Sequence, residues 1–151
     1  MQILLIKQTS LGDVLHSTAQ ARAIRKRLPN CRITLLTSTT AYDIYRHNPH
    51  IDKIILFDRY LIKRDWWRQP IRVLRHISDT MREVRCVPYD LVLDLQGRWK
   101  SVMFLWGARG SRKFVKGRWW FVQRFHDPKL HALEEMNGVV QLAGLGKGGL
   151  K

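Results

Sequence analysis

The chain has 151 residues, 45% hydrophobic and 10% aromatic, with 27 Lys and Arg against 12 Asp and Glu for a formal net charge of +15. That length suits one domain with a real core, is too short for two ordinary domains, and with this composition excludes a mainly disordered chain. So basic a surface attracts polyanions, whether nucleic acid, phosphorylated sugars or an anionic membrane face, and charge alone does not choose among them.

In chain order, the first apolar run, Ile3 to Ile6, has strand length. It falls far short of the roughly 18 residues that a membrane span needs, and no later run approaches that length. A helical stretch follows, with Val14, Ala21, Ile24 and Leu28 on one stripe and Arg22, Arg25, Lys26 and Arg27 mostly around the other side, stopped by Pro29 and Asn30. Ile33 to Leu36 is the second strand, a short helix follows Thr39 and ends before Pro49, and Ile54 to Phe57 is the third strand. Pro70 to Val87 reads as a helix with Pro70 in its first turn and Ile71, Leu74, Ile77 and Met81 on one face. Leu91 to Leu95 is the fourth strand, Ser101 to Trp106 a helix ending near Gly107, and His131 to Leu145 the last helix.

Apolar runs without alternation suit strands covered on both faces, and the alternation of strand and helix predicts an α/β fold, a doubly wound parallel sheet of Rossmann-like type. The domain is expected over 1–146, with the glycine-rich 147–151 as a tail or a truncated linker. Cys31 and Cys86 lack CxxC spacing and read as reduced, semi-buried thiols, which places the chain in the cytoplasm.

In open parallel sheets ligands sit at the carboxyl ends of the strands. Lys7, Thr9, Ser10, Gly12, Asp13 and His16 occupy that place after the first strand. Helix N–H groups and the two hydroxyls could hold an anion there, yet Gly12 stands alone and neither dinucleotide nor P-loop spacing is present. Asp13 is either a general base or a first-turn acid that complements the helix dipole; spacing alone favours the dipole reading. His16 is either a substrate contact or a satisfied interior histidine. Gln96, Gly97 and Lys100, after the fourth strand, would lie beside this cluster if strands one and four are neighbours. Two basic blocks interleave with tryptophan, one holding Arg59, Lys63, Arg64, Trp66, Trp67, Arg68 and Arg72, the other running from Arg98 to Arg124 without an acid. Such mixtures suit stacking on sugars or bases, or seating at an anionic membrane interface.

The stretches "ILLIKQTSLGDVLH", "YDLVLDLQGRWKS" and "HALEEMNGVVQLAGLG", in that order and spacing, resemble the N-terminal half of the heptosyltransferases of glycosyltransferase family nine. The resemblance implies half of a GT-B architecture, in which this domain binds Kdo sugars of the lipopolysaccharide inner core on lipid A. It implies inverting transfer without a metal and without a cofactor in this domain, the donor ADP-heptose sitting on a C-terminal domain. It implies that Asp13 is the general base, and that the block around Arg59, Lys63 and Arg64 contacts the acceptor. Lys7, Thr9, Ser10, Gly12, His16, Gln96, Gly97 and Lys100 complete the expected acceptor site. The expected place is the cytoplasmic face of the inner membrane, and the expected partners are Kdo-lipid A, that anionic surface and a separate or missing donor domain. Without a donor domain the chain alone is not expected to turn over. The chain departs from the family's pattern at Gln8, Thr9 and Ser10, and at Ser17 to Gln20, where the family's proline is absent. The alternative is a non-catalytic polyanion-binding module, but no helix-turn-helix, RNP or zinc spacing supports specific nucleic-acid reading.

Overall fold

A computed structural model describes residues 1–8, 11–117, 123–125, 138–141 and 143–144, with backbone alone at 11–14, 16 and 123–125. Six parallel strands form one sheet: β1 (Gln2–Ile6), β2 (Arg32–Thr37), β3 (Lys53–Leu56), β4 (Tyr89–Asp94), β5 (Gly110–Lys116) and β6 (Gln123–Phe125). Their order is β3-β2-β1-β4-β5-β6, the doubly wound order, so β1 and β4 are neighbours as expected. The helices are α1 (Leu11–Arg27), α2 (Tyr42–Tyr45), α3 (Arg59–Asp65), α4 (Pro70–Arg85) and α5 (Trp99–Gly107), with a further helical turn at 138–141.

The unbroken apolar runs have their explanation in two cores. Ile3, Leu5, Ile33, Leu35, Leu91 and Leu93 point to one face of the sheet, where Ala21 and Ile24 of α1 and Val139 and Val140 cover them. Leu4, Ile6, Leu36 and Val92 point to the other, under Val73 and Val84 of α4 and Phe104 and Leu105 of α5. Strand side chains alternate faces, so only a sheet covered on both sides calls for apolar residues at every position. Each fully buried Leu or Ile contributes about 1.5–3 kcal/mol, which makes β1 and β4 the most strongly determined part of the fold.

Four elements depart from the sequence reading, among them β6, a strand that carries no apolar run of its own. α3 was not expected, although Asp58 caps it by accepting from the N–H groups of Tyr60 (3.0 Å) and Leu61 (3.1 Å). β5 lies inside the second basic block: Ser111 and Arg112 are exposed, and pairing with β4 makes the segment a strand despite its polarity. The face of α4 is corrected. Val73, Thr80 and Val84 are its buried positions, with Ile77 and Met81 packed partly against the core, while Ile71 and Leu74 lie in solvent. α4 carries two adjacent apolar stripes, and the branched one fits the sheet. At the end of α5, a Cβ on Gly107 would sit 2.4 Å from Met81 Sδ, so the glycine lets α5 approach α4. Most of the expected last helix, the residues 118–122 and the glycine-rich tail lie outside the described residues.

Candidate functional site

The winding of the sheet reverses between the parallel neighbours β1 and β4: β1 leads to β2 on one side, β4 to β5 on the other. Their carboxyl ends therefore open a crevice, the usual ligand position in this fold. A cleft of about 560 Å³ lies there, lined by Gln8, Arg59, Gln96, Gly97, Arg98, Trp99 and Lys100.

Buried polar groups at the ends of β1 and β4 adjoin this lining in sequence. Lys7 directly follows β1, is 2% exposed, and donates its backbone N–H to Leu36 O (2.9 Å). Asp94 ends β4 in register with Ile6 and is wholly buried. One of its oxygens, Oδ1, accepts from the N–H groups of Gln96 (2.8 Å) and Gly97 (3.0 Å), which curls the chain into the cleft wall. The other, Oδ2, has no hydrogen-bond partner among the described residues. Burial pushes the Asp94 carboxyl up to about 6, against the pull of the Gly97 N–H, the Ser101 hydroxyl, the Gln96 N–H and the Lys7 charge. Gly97 has φ +67°, and a Cβ there would lie 2.0 Å from the carbonyl oxygen of Lys116, so only glycine fits between this turn and the end of β5. Ser101 then fixes the start of α5: its hydroxyl accepts from Arg98 N–H (3.1 Å) and donates to Arg98 O (2.8 Å).

The rim is cationic. Lys100 stands over the Trp99 ring at 5.4 Å, and its amine is held below the usual lysine range by burial and by the nearby charges of Arg59 and Lys63. The two basic clusters expected from the sequence thus meet here through Arg59, which lines the cleft beside Lys100; Lys63, one helical turn further along α3, is exposed and outside the lining, and only its charge reaches Lys100. Arg64 falls on another side of that helix, where its guanidinium is bidentate on Asp65 (2.9 and 3.1 Å), and it does not line the cleft. Two buried donors at the cleft have no partner among the described residues, Gln8 Nε2 and Arg59 Nε. A buried donor left unpaired costs about 1–3 kcal/mol, so the arrangement suits a ligand rich in acceptor oxygens and negative charge.

Gly12, Asp13 and His16 fall on the first turns of α1, at the carboxyl end of β1. Their side chains, with all of Thr9 and Ser10, lie outside the described residues. Sequence reasoning missed Asp94, Gln8, Arg98 and Trp99 as parts of the site. The signal for Asp94 was there: an acid inside the apolar run "LVLDL" must be paired or hydrogen-bonded if that run is a buried strand.

No protein-family model matches the chain. It is 24% identical over 145 residues to lipopolysaccharide heptosyltransferase 1 of Salmonella typhimurium, covering 92% of this chain and 44% of that protein. The Escherichia coli K12 protein of the same name is 22% identical over 144 residues, with the same coverage. Among solved structures, E. coli heptosyltransferase WaaC with ADP matches all of this chain and 50% of its own, at a TM-score of 0.81 and 21% identity. A glycosyl transferase family 9 protein from Veillonella parvula matches 99% of this chain and 44% of its own, at a TM-score of 0.76 and 19% identity. The chain therefore resembles heptosyltransferase I in sequence and has the doubly wound fold of one half of a GT-B glycosyltransferase, spanning about half the length of these relatives.

Proposed function

We propose that this chain is the acceptor-binding, base-carrying half of an inverting glycosyltransferase of family nine, which transfers heptose from ADP-heptose to the Kdo inner core of lipopolysaccharide. The observation that carries the reading is the cleft: Arg59, Arg98 and Lys100 line it together, the charge of Lys63 acts on Lys100 from beside it, and Gln8 Nε2 and Arg59 Nε are buried donors without a partner among the described residues. Kdo carboxylates and sugar hydroxyls supply the complementary charge and acceptors.

In this reading Asp13, in the first turn of α1, takes the proton from the acceptor hydroxyl. The oxygen forms its bond to the anomeric carbon of heptose as the bond to the diphosphate breaks, and ADP leaves from the opposite side with inversion. The helix N-terminus keeps Asp13 ionised. ADP-heptose belongs to a second domain, so turnover needs that domain as well. The acceptor is lipid-anchored, which puts the chain on the cytoplasmic face of the inner membrane.

The test is titration with a delipidated, Kdo-containing core saccharide, with unrelated duplex DNA as competitor. The expected result is saturable binding that survives moderate salt, weakens about tenfold in Lys100→Ala, or about 1.4 kcal/mol, and persists in Asp13→Ala. Equal affinity for both polyanions, fading together with salt and indifferent to Lys100, would replace this reading with a non-catalytic polyanion-binding module.

A further inference from the structure

We propose that the α3–α4 corner is a membrane seat that docks on the headgroup layer of an anionic phospholipid bilayer. Trp66, Trp67, Ile71 and Leu74 are all solvent-exposed, Trp67 at 90%, Ile71 at 73% and Leu74 at 56%. Ile71 and Leu74 are one helical turn apart on α4, beside its core stripe, and Trp66 and Trp67 sit just before that helix. No described part of the chain covers them, and burying apolar surface of this size is favourable only against another apolar phase or a partner.

Charge identifies the occupant. From residue 59 to residue 78 the sequence has six Arg and Lys against one acid, Asp65, which is buried and engaged by Arg64. Around Ile71, the residues Arg68, Arg72 and Arg75 form a groove of about 590 Å³ with Gln69 and Pro70. Arg75 and Arg85 have no acidic partner among the described residues. Arginine beside exposed tryptophan and aliphatic groups is the composition of an interfacial surface: the rings and Ile71 enter the headgroup–acyl boundary while guanidinium groups meet lipid phosphates. Sequence-tolerant nucleic-acid binding would use the cations and rings but has no use for Ile71 and Leu74. Among the described residues no helix is long and apolar enough to cross a membrane, so the contact is with the surface.

α3 joins the seat to the cleft, because Arg59 at its start lines the cleft while Trp66 and Trp67 follow its last turn. The role assigned to the seat, holding the cleft against a lipid-anchored acceptor, rests on the proposed function; the lipid contact itself does not.

The experiment is co-sedimentation of the full chain with phosphatidylglycerol–phosphatidylethanolamine vesicles and with phosphatidylcholine vesicles, at low and raised salt. The wild type is expected on the anionic vesicles, with at least tenfold weaker binding in Trp67→Ser/Ile71→Ser/Leu74→Ser and in Arg68→Gln/Arg75→Gln. Both variants change exposed side chains only and should bind the soluble core saccharide as the wild type does. Quenching of wild-type tryptophan fluorescence by brominated lipids gives a reading that needs no variant. Wild-type vesicle binding by the apolar triple variant, together with absence of quenching, overturns the seat and leaves a nonspecific charge effect. Duplex DNA bound through the same arginines, with no loss in the apolar variant, overturns it in favour of nucleic acid. If saccharide binding fails while the vesicle results hold, the proposed function falls and the seat stands.

Discussion

Two basic, tryptophan-bearing regions of this chain look alike as text and differ in kind as structure. At the cleft, Arg59 and Lys63 of α3 lie close enough to Lys100 of α5 for their charges, with burial, to hold it below its ordinary range. Along α4 the arginines spread apart; Arg72 and Arg82 reach carboxylates at 3.8 and 3.4 Å, while Arg75 and Arg85 stand in solvent. Convergent like charges raise each other's energy and await an anion, which makes a site. Divergent charges on a helix are at ease in water, and only a flat partner collects them. The difference lies in tertiary placement and partial burial, since the density of cations along the chain is similar.

The strongest way to break the comparison is to disrupt the Gly97 turn that lines the cleft. Gly97→Ala places a methyl 2.0 Å from the Lys116 carbonyl oxygen at a φ of +67°. A loss of roughly 3 kcal/mol is expected by urea denaturation, the upper end of backbone strain, together with loss of saccharide binding. Vesicle binding should survive in whatever fraction folds, since the exposed residues of the seat lie on α4 and just before it.

Asp94→Asn sharpens the contrast through pH. The Asp94 carboxyl titrates near 6 when folded and near 3.8 when unfolded, because burial disfavours its charge. The folded chain therefore binds the extra proton between these values, and the wild type should lose stability as pH rises from about 4 to 6, by on the order of 3 kcal/mol at most. Asn keeps an oxygen for the Gln96 and Gly97 N–H groups but does not titrate. Thermal melting of both proteins across this window should show the slope in the wild type and its absence in the variant. Equal slopes would remove Asp94 as the buried, titrating support of the Gln96 and Gly97 turn.

Smaller effects separate neighbours on α3. Arg59→Ala should weaken saccharide binding about tenfold, a loss of ~1.4 kcal/mol, whereas Arg64→Ala, which loses only its contact with Asp65, should change it less than twofold. Asp58→Ala removes the cap of α3 and should cost about 1 kcal/mol in denaturant unfolding, loosening both regions at once. Least of all, Arg75→Gln should leave stability within about 0.5 kcal/mol, as expected of an exposed arginine without a partner.

The sequence by itself determined four of the sheet's six strands, β1 to β4. Ile3 to Ile6, Ile33 to Leu36, Ile54 to Phe57 and Leu91 to Leu95 are apolar at nearly every position, and only strands covered on both faces need that pattern. The doubly wound order then put Gln96, Gly97 and Lys100 next to the end of β1, as expected. Tertiary structure alone decided the rest. The polar segment Gly110–Lys116 became a strand because β4 offered a free edge, and periodicity carries no trace of a pairing partner. On α4, Val73, Thr80 and Val84 won the core over Ile71 and Leu74, because both stripes are apolar and only the shape of the sheet beneath chooses between them. Arg59 entered the cleft and its near neighbour Arg64 did not, since a helix turns about 100° per residue and its rotation is set by what it packs against. Local pattern fixes which segments are helix or strand; which face of each looks inward, and so which charges meet, is decided only when the elements pack.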